Sequence, residues 1–229
     1  WRSMYGSGTV GNDTGRWIVA IGTMSGEDMT SASGSVLIGY SAGLNIDSSN
    51  ANVAIGYEAL QEADAGSDGT VAIGYKAGKA QTNPGNEGSV YIGREAGQGV
   101  VNSQVVMIGY QAGKSYSGIG KGEAVTLIGH RAGYQANDDA INNTGVGAYV
   151  FYNQTEGARN TAMGRNAGFE NTTGDNNTLL GYNTQGPSTG IENTAVGSEA
   201  LSDTDAGSTS LDSDNNTAIG YKSMGGTWA

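Results

Sequence analysis

Tyr40, Tyr57 and Tyr75 stand 17 and 18 residues apart, and Tyr110, Tyr182 and Tyr221 continue the same position of a repeated phrase, with Arg94, His130 and Arg165 interposed. An exposed aromatic ladder of this kind could stack sugar rings. The competing reading is that the rings pack on one another and brace successive units, because tyrosine has an apolar body and a polar tip. Packing is the preferred reading; if the column binds a ligand, Tyr40, Tyr57 and Tyr75 are the residues expected to do so.

Other side chains have weaker chemical prospects. Asn52, Asn143, Asn160, Asn177, Asn193 and Asn216 share a second repeated position. Asparagines in register are expected to hydrogen-bond along the stack and to turn backbones rather than to hold a metal or ice. The acidic turns 64–70, 201–207 and 211–216 have a faint likeness to calcium loops, but none has the spacing of ligands that an EF-hand supplies, so they read as solvated turns. The one histidine, His130, makes neither a catalytic triad nor, in a chain without cysteine, a zinc site. Glycan hydrolysis would need two carboxylates facing a cleft, and the acids here sit mostly in short turns. No catalytic residue, no metal site and no cofactor is expected.

Composition narrows the class further. Glycine supplies 40 of 229 residues and proline only 2, with no three-residue period, which excludes collagen. A net charge of −11, with 11 scattered basic residues, argues against a nucleic-acid partner, whose phosphates require clustered Lys and Arg. No apolar run approaches the length of a membrane span, so no membrane insertion is expected. The start WRSMYGSG lacks the layout of a secretory signal and does not begin with Met, so the chain reads as a segment of a longer one.

The elements that would position these residues come from one phrase written twelve times. Aligned on its glycine, the copies centre on Gly22, Gly39, Gly56, Gly74, Gly93, Gly109, Gly129, Gly147, Gly164, Gly181, Gly197 and Gly220, at spacings of 16 to 23 residues. Three positions before the glycine stands Val in the first six copies and Thr in the last six; one position before it stands Ile, Val, Met or Leu. Residues two apart on a strand share a face, so these form one β-branched and apolar stripe. The residue between them points the other way and is mostly apolar too, as in Ala20, Leu37, Ala54, Tyr91 and Leu127. After the glycine comes a small residue, usually Ala, with Ser25, Val150, Thr184 and Ser223 as exceptions. A second glycine often follows it, as at Gly43, Gly78 and Gly97. These are corner residues.

A period near 17 with one strand per period predicts an all-β parallel solenoid, in which each unit buries its apolar side chains by stacking on its copies. The two-faced strand allows one face to fill the coil interior and the other to meet a neighbouring chain. Self-association with closed symmetry is therefore expected, although the period does not set the number of chains.

The phrases SVLIGYSAG, NVAIGYEAL, TVAIGYKAG, NTAMGRNAG, NTAVGSEAL and NTAIGYKSM resemble the head repeat of YadA-like trimeric autotransporter adhesins. Their tandem form, with linkers such as FENTTGDNNT, is still more similar to repeats of phage tail fibres. The resemblance implies a left-handed β-roll of about twelve coils assembled as a homotrimer, with residues 1–16 and 225–229 as connecting segments and 17–224 as a single repeat domain. It further implies a non-catalytic, receptor-binding part of a virion that attaches to a glycan or protein on the host cell surface. A bacterial adhesin head on the outer surface is the alternative. A tailspike glycan hydrolase and an ice-binding solenoid stand further off, the latter because the Thr run shares its strand face with the Ile column, a face expected to be covered.

Overall fold

The computed structural model describes residues 17–29, 31–63, 67–81, 87–100, 104–116, 124–136, 140–185, 188–202 and 214–225. Residues 1–16, and all but Gly225 of the C-terminal connecting segment, lie outside that set. Among the described residues there are strands and turns and no helix. The chain is a parallel β-solenoid of about nine turns. Eight of the eleven connections between successive strands of its main sheet contain residues outside the described set, so twelve complete coils are not counted from it.

The strands, in chain order, are β1 (Val19–Ile21), β2 (Val36–Ile38), β3 (Val53–Ile55), β4 (Glu62–Ala63), β5 (Val71–Ile73), β6 (Ala80–Gln81) and β7 (Val90–Ile92). They continue with β8 (Val106–Ile108), β9 (Thr126–Ile128), β10 (Thr144–Val146), β11 (Thr161–Met163), β12 (Thr178–Leu180), β13 (Thr194–Val196) and β14 (Thr217–Ile219). All except β4 and β6 join in one twelve-stranded parallel sheet whose spatial order is the chain order. β4 and β6 pair with each other on a second side of the coil. In the main sheet like meets like, with Val36 beside Val53, Leu37 beside Ala54 and Ile38 beside Ile55. The same register holds from β13 to β14, so even the widest spacing is absorbed in the turns.

The anchor glycine sets the approach of one coil to the next. At Gly39 the backbone has φ +134°, and a Cβ there would lie 2.4 Å from the carbonyl oxygen of Gly56. Gly56 stands in the same relation to Gly74. A side chain at any of these anchors except Gly220, the last, would collide with backbone that cannot move without breaking the sheet.

The middle residue of each strand points into the coil. Leu37, Ala54, Ala72, Tyr91, Met107, Leu127 and Leu179 are fully buried. The small corner column lies against them, and its polar exceptions are satisfied: Ser25 Oγ donates to Leu37 O at 2.9 Å and Thr184 Oγ1 to Gly181 O at 3.1 Å. A third inward column, seven positions after the anchor, is not evident from the repeated phrase; it contains Met29, Ile46, Gln81, Val100, Tyr116 and Gln154, all buried. Gln81 is inside because it has work to do there. Its Oε1 accepts from the Tyr91 hydroxyl at 3.0 Å, and its Nε2 donates to Val100 O at 2.5 Å.

Each coil admits about one large side chain beside the corner. Where the strand centre is Leu37, Tyr91, Met107 or Leu127, the residue four after the anchor is glycine. A Cβ on Gly97 would lie 2.1 Å from Tyr91 Cδ1, one on Gly113 2.2 Å from Met107 Sδ, and one on Gly133 2.4 Å from Leu127 Cδ1. Where the strand centre is Ala54, Gly145 or Ala195, that corner holds Leu60, Phe151 or Leu201 instead, each at φ near +50°. A left-handed backbone is costly for a residue with a Cβ, and burial of the side chain offsets that cost.

This exchange of volume generates a test. Leu60→Gly should destabilise by about 2–5 kcal/mol through an interior cavity, and Ala54→Leu by about 1–3 kcal/mol through overpacking. The double substitution should fall short of their sum by about 1–3 kcal/mol, because it recreates the Leu37–Gly43 arrangement of the preceding coil. Denaturant titration of the four proteins measures the coupling; strict additivity would refute shared occupancy of the space.

Candidate binding surface

The Val or Thr and Ile columns flank the inward residue and therefore face outward. In the single chain they are mostly half-buried along β2 to β9, with Ile21 57%, Met163 56% and Ile219 70% exposed. The Thr run shares this outward face. Thr144, Thr161 and Thr217 are exposed on it in the single chain. Burial within the single chain therefore does not oppose ice binding. What opposes it is the composition of the face, which has Val in the first six strands of the main sheet and Ile, Val, Met or Leu beside every Thr.

Next to this face the expected aromatic ladder is present. Tyr40 and Tyr57 stack with centroids 5.0 Å apart, and Tyr57 and Tyr75 at 5.3 Å, each pair 15° from parallel. Arg94 then lies 5.3 Å from the Tyr75 ring and 6.0 Å from Tyr110, and His130 stacks on Tyr110 at 5.1 Å. The three tyrosines are 43%, 44% and 39% exposed. Both faces of Tyr57 are covered by rings, and Tyr75 lies between a ring and a guanidinium. These rings brace neighbouring coils through their faces and offer edges to solvent, so a sugar stacked flat on Tyr57 has no free face to meet.

A second ladder lies five positions after the anchor and was not singled out from the sequence. Tyr134 stacks on Tyr152 at 5.3 Å and Tyr152 on Phe169 at 5.1 Å, within 6° of parallel. Tyr149 links it to the first ladder, at 5.0 Å from His130 and 5.7 Å from Tyr152. The signal was legible, since the three residues recur at one offset in three consecutive copies. They were hidden because no repeated phrase surrounds them.

Charge is segregated onto the same corner. Among the described Lys and Arg residues, all except Arg159 fall one, two or five positions after an anchor glycine. Most are paired. Lys79 Nζ lies 2.8 Å and Lys76 Nζ 3.7 Å from Glu58 Oε2, Lys114 Nζ 2.6 Å from Glu95 Oε2, and Lys222 Nζ 3.5 Å from Glu199 Oε2. Burial would push the Glu58 carboxyl up, but hydrogen bonds from Lys79 and Tyr57 and the nearby lysine charges hold it below its ordinary value. Tyr57 is raised in turn, chiefly by its hydrogen bond with Glu58. Hydrogen bonds from Lys114 and Gln111 hold Glu95 down at about 2, against the opposing effect of burial.

The asparagine column is a backbone device. Asn160 N–H donates to Asn143 Oδ1 at 2.8 Å, Asn177 N–H to Asn160 Oδ1 at 2.8 Å, and Asn193 N–H to Asn177 Oδ1 at 2.9 Å. Their amides donate to Gly157 O, Gly174 O and Gly190 O. Asn52 accepts from Thr70 N–H in the same way. Acidic turns serve likewise where they are described: Asp175 Oδ1 accepts from Ala158 N–H and Asp214 Oδ1 from Ile191 N–H. Residues 64–66, 203–207 and 211–213 of the three acidic stretches lie outside the described set. Among the described residues no group of three or more His, Asp or Glu side chains is placed to hold a metal ion. No helix there is long and apolar enough to cross a membrane.

Comparison of the chain with protein-family models, with curated proteins and with solved structures finds no match in any of the three.

The Glu95 cluster predicts a pH response. Its folded pKa of about 2 lies below the ordinary 4.5, so its stabilisation is complete above about pH 4.5 and is lost as pH falls toward 2. The Tm of Glu95→Gln should fall less than that of the parent across this window. Parallel Tm curves from pH 5 to about 2 would contradict it.

Proposed function

We propose that this chain is a non-catalytic, self-associating segment of a trimeric viral tail fibre that reaches and binds the host cell surface. The observation that carries the reading is the division of side chains in the strands of the main sheet from β2 onward. The central residue is sealed inside the coil, while the Ile and Val columns on either side of it remain half-exposed along the sheet. A continuous apolar ribbon of this length on an isolated chain marks an interaction surface. A parallel sheet is ordinarily covered on both faces, and a closed ring of identical chains provides the second cover. Three chains, a left-handed coil path, a full twelve coils and a virion location follow from the resemblance of the repeats to tail-fibre and adhesin-head sequences. A rod whose outer ribbon is occupied by sister chains has its turns and aromatic corner left for a glycan or protein receptor, with Tyr40, Tyr57 and Tyr75 among the residues displayed.

Native mass measurement should give three chains, and a stable monomer would defeat the assembly. An aspartate replacing Ile73, which is half-buried on the outer ribbon, should cost several kcal/mol of assembly free energy while the coil interior survives. The expected product is a folded but dissociated chain. Replacing Tyr40, Tyr57 and Tyr75 together by Ala should lower adsorption of the protein to host cells; undiminished adsorption of a folded variant would assign those rings to bracing alone.

A further inference from the structure

We propose that the aromatic corner between the Gly109 and Gly164 coils is a binding site for an acidic polysaccharide, a sugar chain bearing carboxylates. The inference deepens the attachment reading above and rests on it. Two features set this stretch apart from the rest of the corner. First, its arginines have no acidic partner. The other described basic side chains each lie within 4.0 Å of a carboxylate, whereas Arg131 and Arg165 have none among the described residues. Over these coils the positions one, two and five after the anchor contain no Asp or Glu; the acids of these coils, Glu123, Asp138, Asp139, Glu156, Glu170 and Asp175, fall at other positions. Uncompensated cations on a chain of net charge −11 are a local exception that attracts anions.

Second, Arg131 is held ready. Its Nε donates to Gln111 Oε1 at 2.8 Å, and its guanidinium lies 5.8 Å from the Tyr110 ring and 5.5 Å from the Tyr134 ring. A guanidinium fixed on one edge and supported by aromatic rings keeps its terminal amino groups for a planar, two-oxygen acceptor, and little side-chain entropy is lost when one arrives. Arg165 lies in the His130 column, two coils further on, and is exposed. Between and beside them the Tyr134, Tyr152 and Phe169 ladder offers an apolar strip running along the rod axis.

Discrete carboxylates suit this arrangement better than a dense polyanion. Nucleic acid is held by many cations at once, and two separated arginines on an acidic rod would leave most of its phosphates facing like charge. A uronate-bearing chain places one carboxylate per acidic sugar and apolar C–H faces between them. Its charge can meet Arg131 and Arg165 while its apolar C–H groups run along the half-buried edges, not the stacked faces, of Tyr134, Tyr152 and Phe169.

Titration of the purified assembled protein with a galacturonate hexamer, followed by calorimetry, tests the site. Binding should saturate, weaken as salt is raised, and fall about tenfold in affinity in Arg165→Gln and in Arg131→Gln. Arg165 is exposed, so its variant should keep the parent melting temperature even if loss of the Arg131 contacts unsettles the coil. A neutral glucose hexamer should bind far more weakly. Absence of hexamer binding, equal affinity for the neutral sugar, or unchanged affinity in Arg165→Gln would each overturn the proposal. Adsorption to whole cells tests the attachment reading separately, and its persistence without uronate binding would retain attachment while removing this site.

Discussion

Every column of this chain has to tolerate a copy of itself one strand spacing away. Parallel, in-register pairing puts equivalent residues of successive coils about 4.8 Å apart, and no column escapes. The anchor position meets the requirement by having no side chain, since a Cβ would strike the next carbonyl. The tyrosine position meets it by ring stacking at about that distance. The asparagine position meets it by donating and accepting along the column. The position two after the anchor meets it by alternating sign, with Glu58 beside Lys76 and Glu199 beside Lys222. Identical charges in that column would repel at every step; alternation turns a liability into weak cross-coil support.

The interior obeys a different rule, of volume rather than identity. A narrow coil has space for about one large residue where strand and corner meet. The chain places it on the strand in Leu37, Tyr91, Met107 and Leu127, and on the corner in Leu60, Phe151 and Leu201. Substitutions that look careless in a repeat alignment are paired changes that conserve packing, as dense interiors require. Interior chemistry also shifts along the rod. Val105 and Val125 occupy the column that becomes Asn143, Asn160 and Asn177, all buried. Apolar contact at these two coils thus interrupts a hydrogen-bonded column, with buried Ser35, Asn52, Thr70 and Ser89 before it and the asparagines after it, without a change of register.

The outer surface divides by chemistry around the coil. One side is an apolar ribbon suited to sister chains, the adjacent corner carries rings and nearly all the described cations, and acidic side chains cap turns on the opposite approach. A rod that associates through one side can thus present a continuous, chemically distinct ridge along its length. Recognition on such a ridge repeats with the coil period, which favours long chain-like ligands over compact ones.

The twelve-fold phrase was sufficient to predict a parallel solenoid, the aromatic ladder and the structural use of asparagine, because each of these is a relation between a position and its own copy. Repetition writes such relations directly into the sequence. The direction of each strand face was not written there: two apolar faces look alike until the coil closes, and closure put Leu37 and Tyr91 inside and Ile38 and Ile92 outside. Relations between different positions were equally silent. The exchange of volume between Ala54 and Leu60, the Tyr91–Gln81 hydrogen bond and the gathering of Arg131 with Tyr110 and Tyr134 join columns that lie at different offsets along the chain. Only the path of the turns brings those columns together, and that path depends on left-handed backbone at residues such as Glu58 and Leu60, whose side chains give no local sign of it.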